Sequence, residues 1–152
     1  MTLSGIHAQL ADFAVYCTEP GEKNRIDLLV RCDRILAAIH DLPDLADDSD
    51  YPEPPEKEYN KTRALVSAAF PDFGFYNLPE TVLEDIGDCK VMVGDAIDDI
   101  ADIVGDFTEV LWRLENTSVD DAIWHLRFGY TSHWGRHMRD LQFYLERVES
   151  GD

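Results

Sequence analysis

Apolar residues recur at intervals of three and four along most of the chain, the period of a helix that buries one face. Ile6, Leu10, Phe13, Ala14 and Cys17 predict a first helix, with Ser4 as its cap and Pro20-Gly21 as its end. Leu28, Leu29, Cys32, Ile35, Leu36 and Ile39 predict a second over residues 24–40, stopped at Leu42-Pro43. A third, over residues 57–70, carries Tyr59, Thr62, Val66, Ala69 and Phe70 on one side. Helical signal returns from about residue 80, with a break at Gly87, and is strongest over residues 93–114. There Val93, Ala96, Ile97, Ile100, Val104, Phe107, Leu111 and Leu114 fill a narrow arc at ~100° per residue. Asp95, Asp98, Asp102, Asp106 and Glu109 fall on the opposite arc, with Asp99 at the boundary. Ser118-Val-Asp-Asp121 has the form of a capping box and opens a long last helix running to about residue 148. Its apolar arc is Ile123, Leu126, Tyr130, Trp134, Met138, Leu141, Leu145 and Val148. No alternating pattern of strand length is evident.

Two connectors separate these elements. Residues 43–56 hold four of the seven prolines among six acids, too polar and too Pro-rich for a regular element. Residues 71–79 carry Phe73, Phe75 and Tyr76, apolar enough that they are expected to lid the core. The pattern predicts an all-α fold: one domain over residues 1–152, a bundle of five or six helices with a long C-terminal helical hairpin. A chain of 152 residues can bury ~68–70% of its unfolded surface and needs neither disulfide nor metal to fold.

Charge changes the picture more than composition does. Lys and Arg number 13 against 31 Asp and Glu, a net charge of −18. Such a chain repels nucleic-acid phosphates and anionic membranes, so direct binding to either is not expected. A protein partner, if there is one, is expected to be basic. Cys17, Cys32 and Cys89 have no paired spacing, and the first two fall on apolar helix faces, as core thiols of a reducing cytoplasm would. No basic leader and no apolar run of ~18 residues predicts secretion or a membrane span.

The last helix holds the residues that invite chemistry. Arg127 and His137 fall inside its apolar arc, where a charge needs a partner. Asp99 of the acidic helix is the best-placed carboxylate for Arg127. His133 and His137 are four apart and share a helix face, a spacing that offers two imidazoles to a metal. With Asp99 and Asp102 nearby, the set suits iron, zinc or manganese. Trp134, however, stands where a metalloprotease helix has Glu, and the Glu-x-x-His of di-iron bundles is missing. A polar Arg–Asp–His network inside the bundle is the plainer expectation. There is no Gly-rich phosphate loop, no nucleophile elbow and no calcium-hand spacing among the aspartates. His7, His40 and His125 are isolated and expected at the surface.

The run Gly94-Asp-Ala-Ile-Asp-Asp-Ile-Ala-Asp-Ile-Val-Gly-Asp106, then Trp124-His-Leu-Arg-Phe128 and His133-Trp-Gly-Arg-His137, resembles the bacterial family filed as domain of unknown function 5063. The resemblance, specific over residues 93–145, implies a helical fold in a bacterial cytoplasm. It also implies that Asp98, Asp99, Asp102, Arg127, His133, Trp134 and His137 form one constellation. It assigns no activity. The sequence is therefore read as a non-catalytic interaction or accessory protein without a predicted cofactor. The first alternative is a metal-binding protein or metal-dependent enzyme using His133 and His137 with Asp99 or Asp102. The second is an acidic mimic of nucleic acid.

Overall fold

The structure, a computed structural model, describes residues 3–148. Among these residues it is predominantly helical, with six α-helices and one two-stranded sheet. Helices α1 (Leu3–Thr18), α2 (Arg25–Asp41) and α3 (Tyr59–Ala69) come first. The strands β1 (Phe75–Pro79) and β2 (Val91–Asp95) follow, and then α4 (Ala96–Asn116), α5 (Val119–Ser132) and α6 (Trp134–Arg147). No helix among the described residues is long and apolar enough to cross a membrane.

Helix α4 is the axis of the molecule, in contact with α1, α3, α5 and α6. Asp95 caps it by accepting from the Ile97 and Asp98 N–H groups, and Asp98 and Asp99 lie in its first turn, where the helix dipole favours anions. Its apolar face buries Ile100, Ile103 and Phe107. Phe107 meets Phe13 and Trp134 edge-on, with ring centroids 5.4 and 5.1 Å apart, and the Trp134 indole N–H donates to the Leu126 carbonyl at 2.9 Å. Such aromatic pairs add ~0.5–1.5 kcal/mol beyond their burial. Cys17 and Cys32 are in the same core, and burial pushes the Cys32 thiol up to about 12, whereas Cys89 is exposed. As the sequence predicts, Ser118 caps α5 by accepting from the Asp121 N–H; Asn24 caps α2 at the start of its predicted span. Ser4, in contrast, lies inside α1 and not at its cap.

Two larger departures from the sequence expectation bear on the site. First, residues 75–95 form an antiparallel hairpin, with Tyr76 opposite Gly94 and Leu78 opposite Met92. Tyr76 and Leu78 point inward, but Phe75, Val91 and Val93 are apolar and exposed, so neither strand shows the polar–apolar alternation that would identify it. The helix expected from residue 80 is absent. Residues 80–90 are exposed and contain only a 3-10 turn at Ile86–Asp88, because that segment has no face packed on the core. Val93 thus belongs to the sheet, and α4 begins three residues later. At Gly94 an added Cβ would sit 2.5 Å from the Tyr76 ring, so only glycine lets that ring lie across β2.

Second, the long last helix is broken at His133, whose ψ of −80° with φ of −150° lies outside the helical region. The break is tight. A Cβ on Gly135 would stand 2.0 Å from the Tyr130 carbonyl oxygen. The C-terminal hairpin is therefore α4 followed by two 14-residue helices, α5 and α6. Because backbone is the obstacle at Gly135, Gly135→Ala is expected to cost about 1–3 kcal/mol, as overpacking does. Chemical denaturation would measure this, and a loss below ~0.5 kcal/mol would contradict the tight break.

Candidate functional site

Asp95, Asp99, Asp102 and Asp106 are spaced by four, three and four residues and so form one stripe along α4. Helix α6 and the break before it run past this stripe in the opposite direction, which sets His133 beside Asp106 and His137 beside Asp99 and Asp102. His133 Nδ1 is 2.7 Å from Asp106, and His137 Nδ1 is 2.8 Å from Asp99. The opposite ring nitrogens turn toward a common carboxylate: His137 Nε2 is 3.2 Å and His133 Nε2 4.0 Å from Asp102 Oδ2. The imidazole centroids are 5.0 Å apart. One ligand atom from each of Asp102, His133 and His137 lies within 4.8 Å of the others.

Asp99 and Asp106 are buried, 4% and 7% exposed, and a buried carboxylate is tolerated only when it is bonded. Asp99 accepts from the Tyr76 hydroxyl as well as from His137. Asp106 accepts from Lys57 as well as from His133. Around this core, Asp95 pairs with Arg63 at 2.7 Å, and Asp98 accepts from the Tyr59 hydroxyl.

These contacts set the protonation of the groups. Burial pulls the His137 pKa down, but the Asp99 hydrogen bond and the charges of Asp99, Asp102 and Asp98 outweigh it, so the ring holds its proton above the ordinary histidine range. Burial raises the Asp102 carboxyl, with Asp98 and Asp106 adding to the effect and the histidines opposing it. Burial and the neighbouring Asp99 likewise raise Asp140. Burial and Asp98 push the Tyr59 phenol up to about 12. In this protonation state His137 bridges Asp99 and Asp102 through its two nitrogens, and the Nε2 proton occupies the direction in which a cation would bind.

Of the seven residues singled out in the sequence, Asp99, Asp102, His133 and His137 come together. Asp98 sits at the edge of the group, on Tyr59. Trp134 packs in the core beneath it. Arg127 is elsewhere: its guanidinium donates to the Leu42 carbonyl at 2.8 Å and not to Asp99. Arg127 lies on α5, before the break at His133, and His137 on α6 after it, so the two side chains meet different partners. The buried arginine that does meet carboxylates is Arg113, 3.1 Å from Asp121 and 3.4 Å from Glu109. Asp106, placed on the solvated arc by the sequence, is instead buried in the site. Lys57, Arg63, Tyr59 and Tyr76 carry no local signal, since contacts across distant segments bring them in. For Asp106 a signal existed, the four-three-four spacing of the acids.

The arrangement is that of a helical protein in which one acidic helix holds two histidines from the antiparallel segment beside it. This chain belongs to the family described as Domain of unknown function (DUF5063), whose model matches residues 26–149 and so includes every residue of the site. No curated protein matches the sequence. Among solved structures it is similar to the crystal structure of protein BF1032 from Bacteroides fragilis, a Northeast Structural Genomics Consortium target. The TM-score is 0.73 at 16% identity, covering 97% of this chain and 91% of that one, a likeness of fold.

The His137 pKa has a consequence for stability. Its folded value lies above the unfolded ~6.5, so the stability it contributes is full below that pH and is lost as pH rises through the folded value. His125, lowered by burial beside Arg113, acts in the opposite direction, so the comparison must isolate His137. Between pH 6 and 8, chelator-treated wild type is expected to lose more thermal stability than His137→Gln does. Equal losses in melting scans would contradict the assigned proton.

Proposed function

We propose that this protein binds a divalent first-row metal ion through His133 Nε2, His137 Nε2 and an Asp102 carboxylate oxygen, with Asp99 and Asp106 as the carboxylates that orient the two rings. One observation carries the reading: both imidazoles commit Nδ1 to a buried aspartate and turn Nε2 toward the same third carboxylate. Metal-ligating histidines usually have such a partner on the other ring nitrogen, which fixes the tautomer and raises ligand basicity. With bonds of ~2.0–2.2 Å, tetrahedral ligand atoms lie ~3.4 Å apart. The 3.2 and 4.0 Å distances to Asp102 bracket that value, so small side-chain rotations would complete the set. Two histidines and one carboxylate on one side of an ion leave positions open on the other, which suits iron, zinc or manganese and allows a further ligand. The surplus of carboxylates over cations around the stripe also favours a cation there.

A second reading, docking of a basic protein, draws on the hairpin. Phe75, Val91 and Val93 expose an apolar face, and the adjoining residues 80–90 hold four acids against one lysine. An amphipathic Lys/Leu peptide would bind it at low salt, and the double variant Phe75→Ser/Val93→Ser would lose that binding. Equal binding by both proteins would refute it.

Metal analysis of protein purified without an affinity tag, followed by calorimetric titration with Zn2+, Mn2+ and Fe2+, tests the first reading. Near-stoichiometric binding of one ion is expected, with a rise in melting temperature. His133→Ala and His137→Ala should abolish tight binding, and Asp99→Asn should weaken it about 10–100-fold. If no metal co-purifies and none of the three ions binds or raises the melting temperature, the reading fails.

A further inference from the structure

A cleft of about 310 Å3 opens between the lead-in to α3 and the outer side of α4, with His133, Asp102 and Asp106 at one end. Its walls are largely apolar, formed by Pro54, Pro55 and the Trp112 indole among others. Two prolines fix the backbone of one wall, and an indole on the opposite helix offers a flat face. These prolines belong to the acidic, Pro-rich connector of residues 43–56, whose end closes one side of the cleft.

We propose that this cleft is the ligand pocket of the metal centre and that it takes a flat, compact organic molecule bearing an oxygen donor at one end and no negative charge at the other. The inference rests on the metal-binding reading above and extends it from the ion to what the ion would hold. Three features define the ligand. The size follows from the volume, which equals on the order of ten water molecules and so fits about ten non-hydrogen atoms. The donor head follows from the open side of a three-residue metal site, since the cleft reaches two of its three ligands, His133 and Asp102. The charge follows from the rest of the lining. Glu56, Glu58 and Glu109 face the cleft, and its one lysine, Lys57, is engaged by Asp106. Glu109 lies seven residues beyond Asp102 on α4, about 10 Å along the helix axis, so it addresses the end of the ligand remote from the metal.

The probe is benzohydroxamate, an aromatic body with a metal-chelating head, titrated into cobalt-loaded protein. Cobalt binding is established first from its visible bands, and ligand binding is then read as their perturbation. The bands are expected to shift on saturation with probe. The 4-aminomethyl derivative should bind at least tenfold tighter than the 4-carboxy derivative, and Trp112→Ala, saturated with cobalt, should bind benzohydroxamate at least tenfold more weakly. Bands that ignore the hydroxamate, or a charge series that binds equally, would overturn the pocket while leaving the metal site standing. If cobalt does not bind, the metal reading fails and the pocket falls with it.

Discussion

The burial of two carboxylates on α4 constrains everything around them. Asp99 and Asp106 are withdrawn from water, and an uncompensated charge in that position would cost several kcal/mol. Each must find donors, and the donors come from four parts of the chain: Tyr76 on the hairpin, Lys57 before α3, His133 at the break and His137 on α6. The hydrogen bonds of two side chains thus tie the hairpin, the proline-rich connector and the last two helices to one central helix. The same bonds decide which nitrogen of each imidazole is left for chemistry.

Local geometry serves this clamp. Gly94 lets the Tyr76 ring cross β2 to reach Asp99, and Gly135 lets the chain break at His133 without a collision with Tyr130. On an unbroken helix Arg127 would sit about 120° around the axis from His133 and about 80° from His137. The break leaves Arg127 to the Leu42 carbonyl at the end of α2 and brings the two imidazole centroids within 5.0 Å. The connector that follows α2 is held too, because the Ser118 cap of α5 also donates to Asp47, which fastens the chain before it reaches the cleft.

The helices were legible from apolar spacing because each buries a face wide enough to leave a 3.6-residue period. The hairpin was not: its outward Phe75, Val91 and Val93 are apolar, so the strand period is erased, and its pairing joins residues well apart in the chain, such as Asn77 with Val93. His133 and His137 were legible as a pair, and so was the neighbourhood of Asp99 and Asp102, because an i,i+4 spacing and an acidic partner helix are local features. Asp106 was assigned to water since it sits opposite the apolar arc; it is buried because another helix covers that side too. The break at His133 had a trace in Gly129 and Gly135, but a glycine in a helix is tolerated often enough that the apolar stripe outweighed it. Lys57 and Tyr76 reach the site through tertiary contacts that no local pattern encodes.

The central claim is that Asp99 and Asp106 hold Nδ1 of the two imidazoles and thereby present both Nε2 atoms to Asp102. Nitrogen-15 NMR of the histidine side chains in metal-free protein, at a pH high enough to neutralise both rings, reads the tautomers directly. The account predicts that His133 and His137 both carry their single proton on Nδ1 and leave Nε2 bare. Protonation at Nε2 in both rings would contradict it.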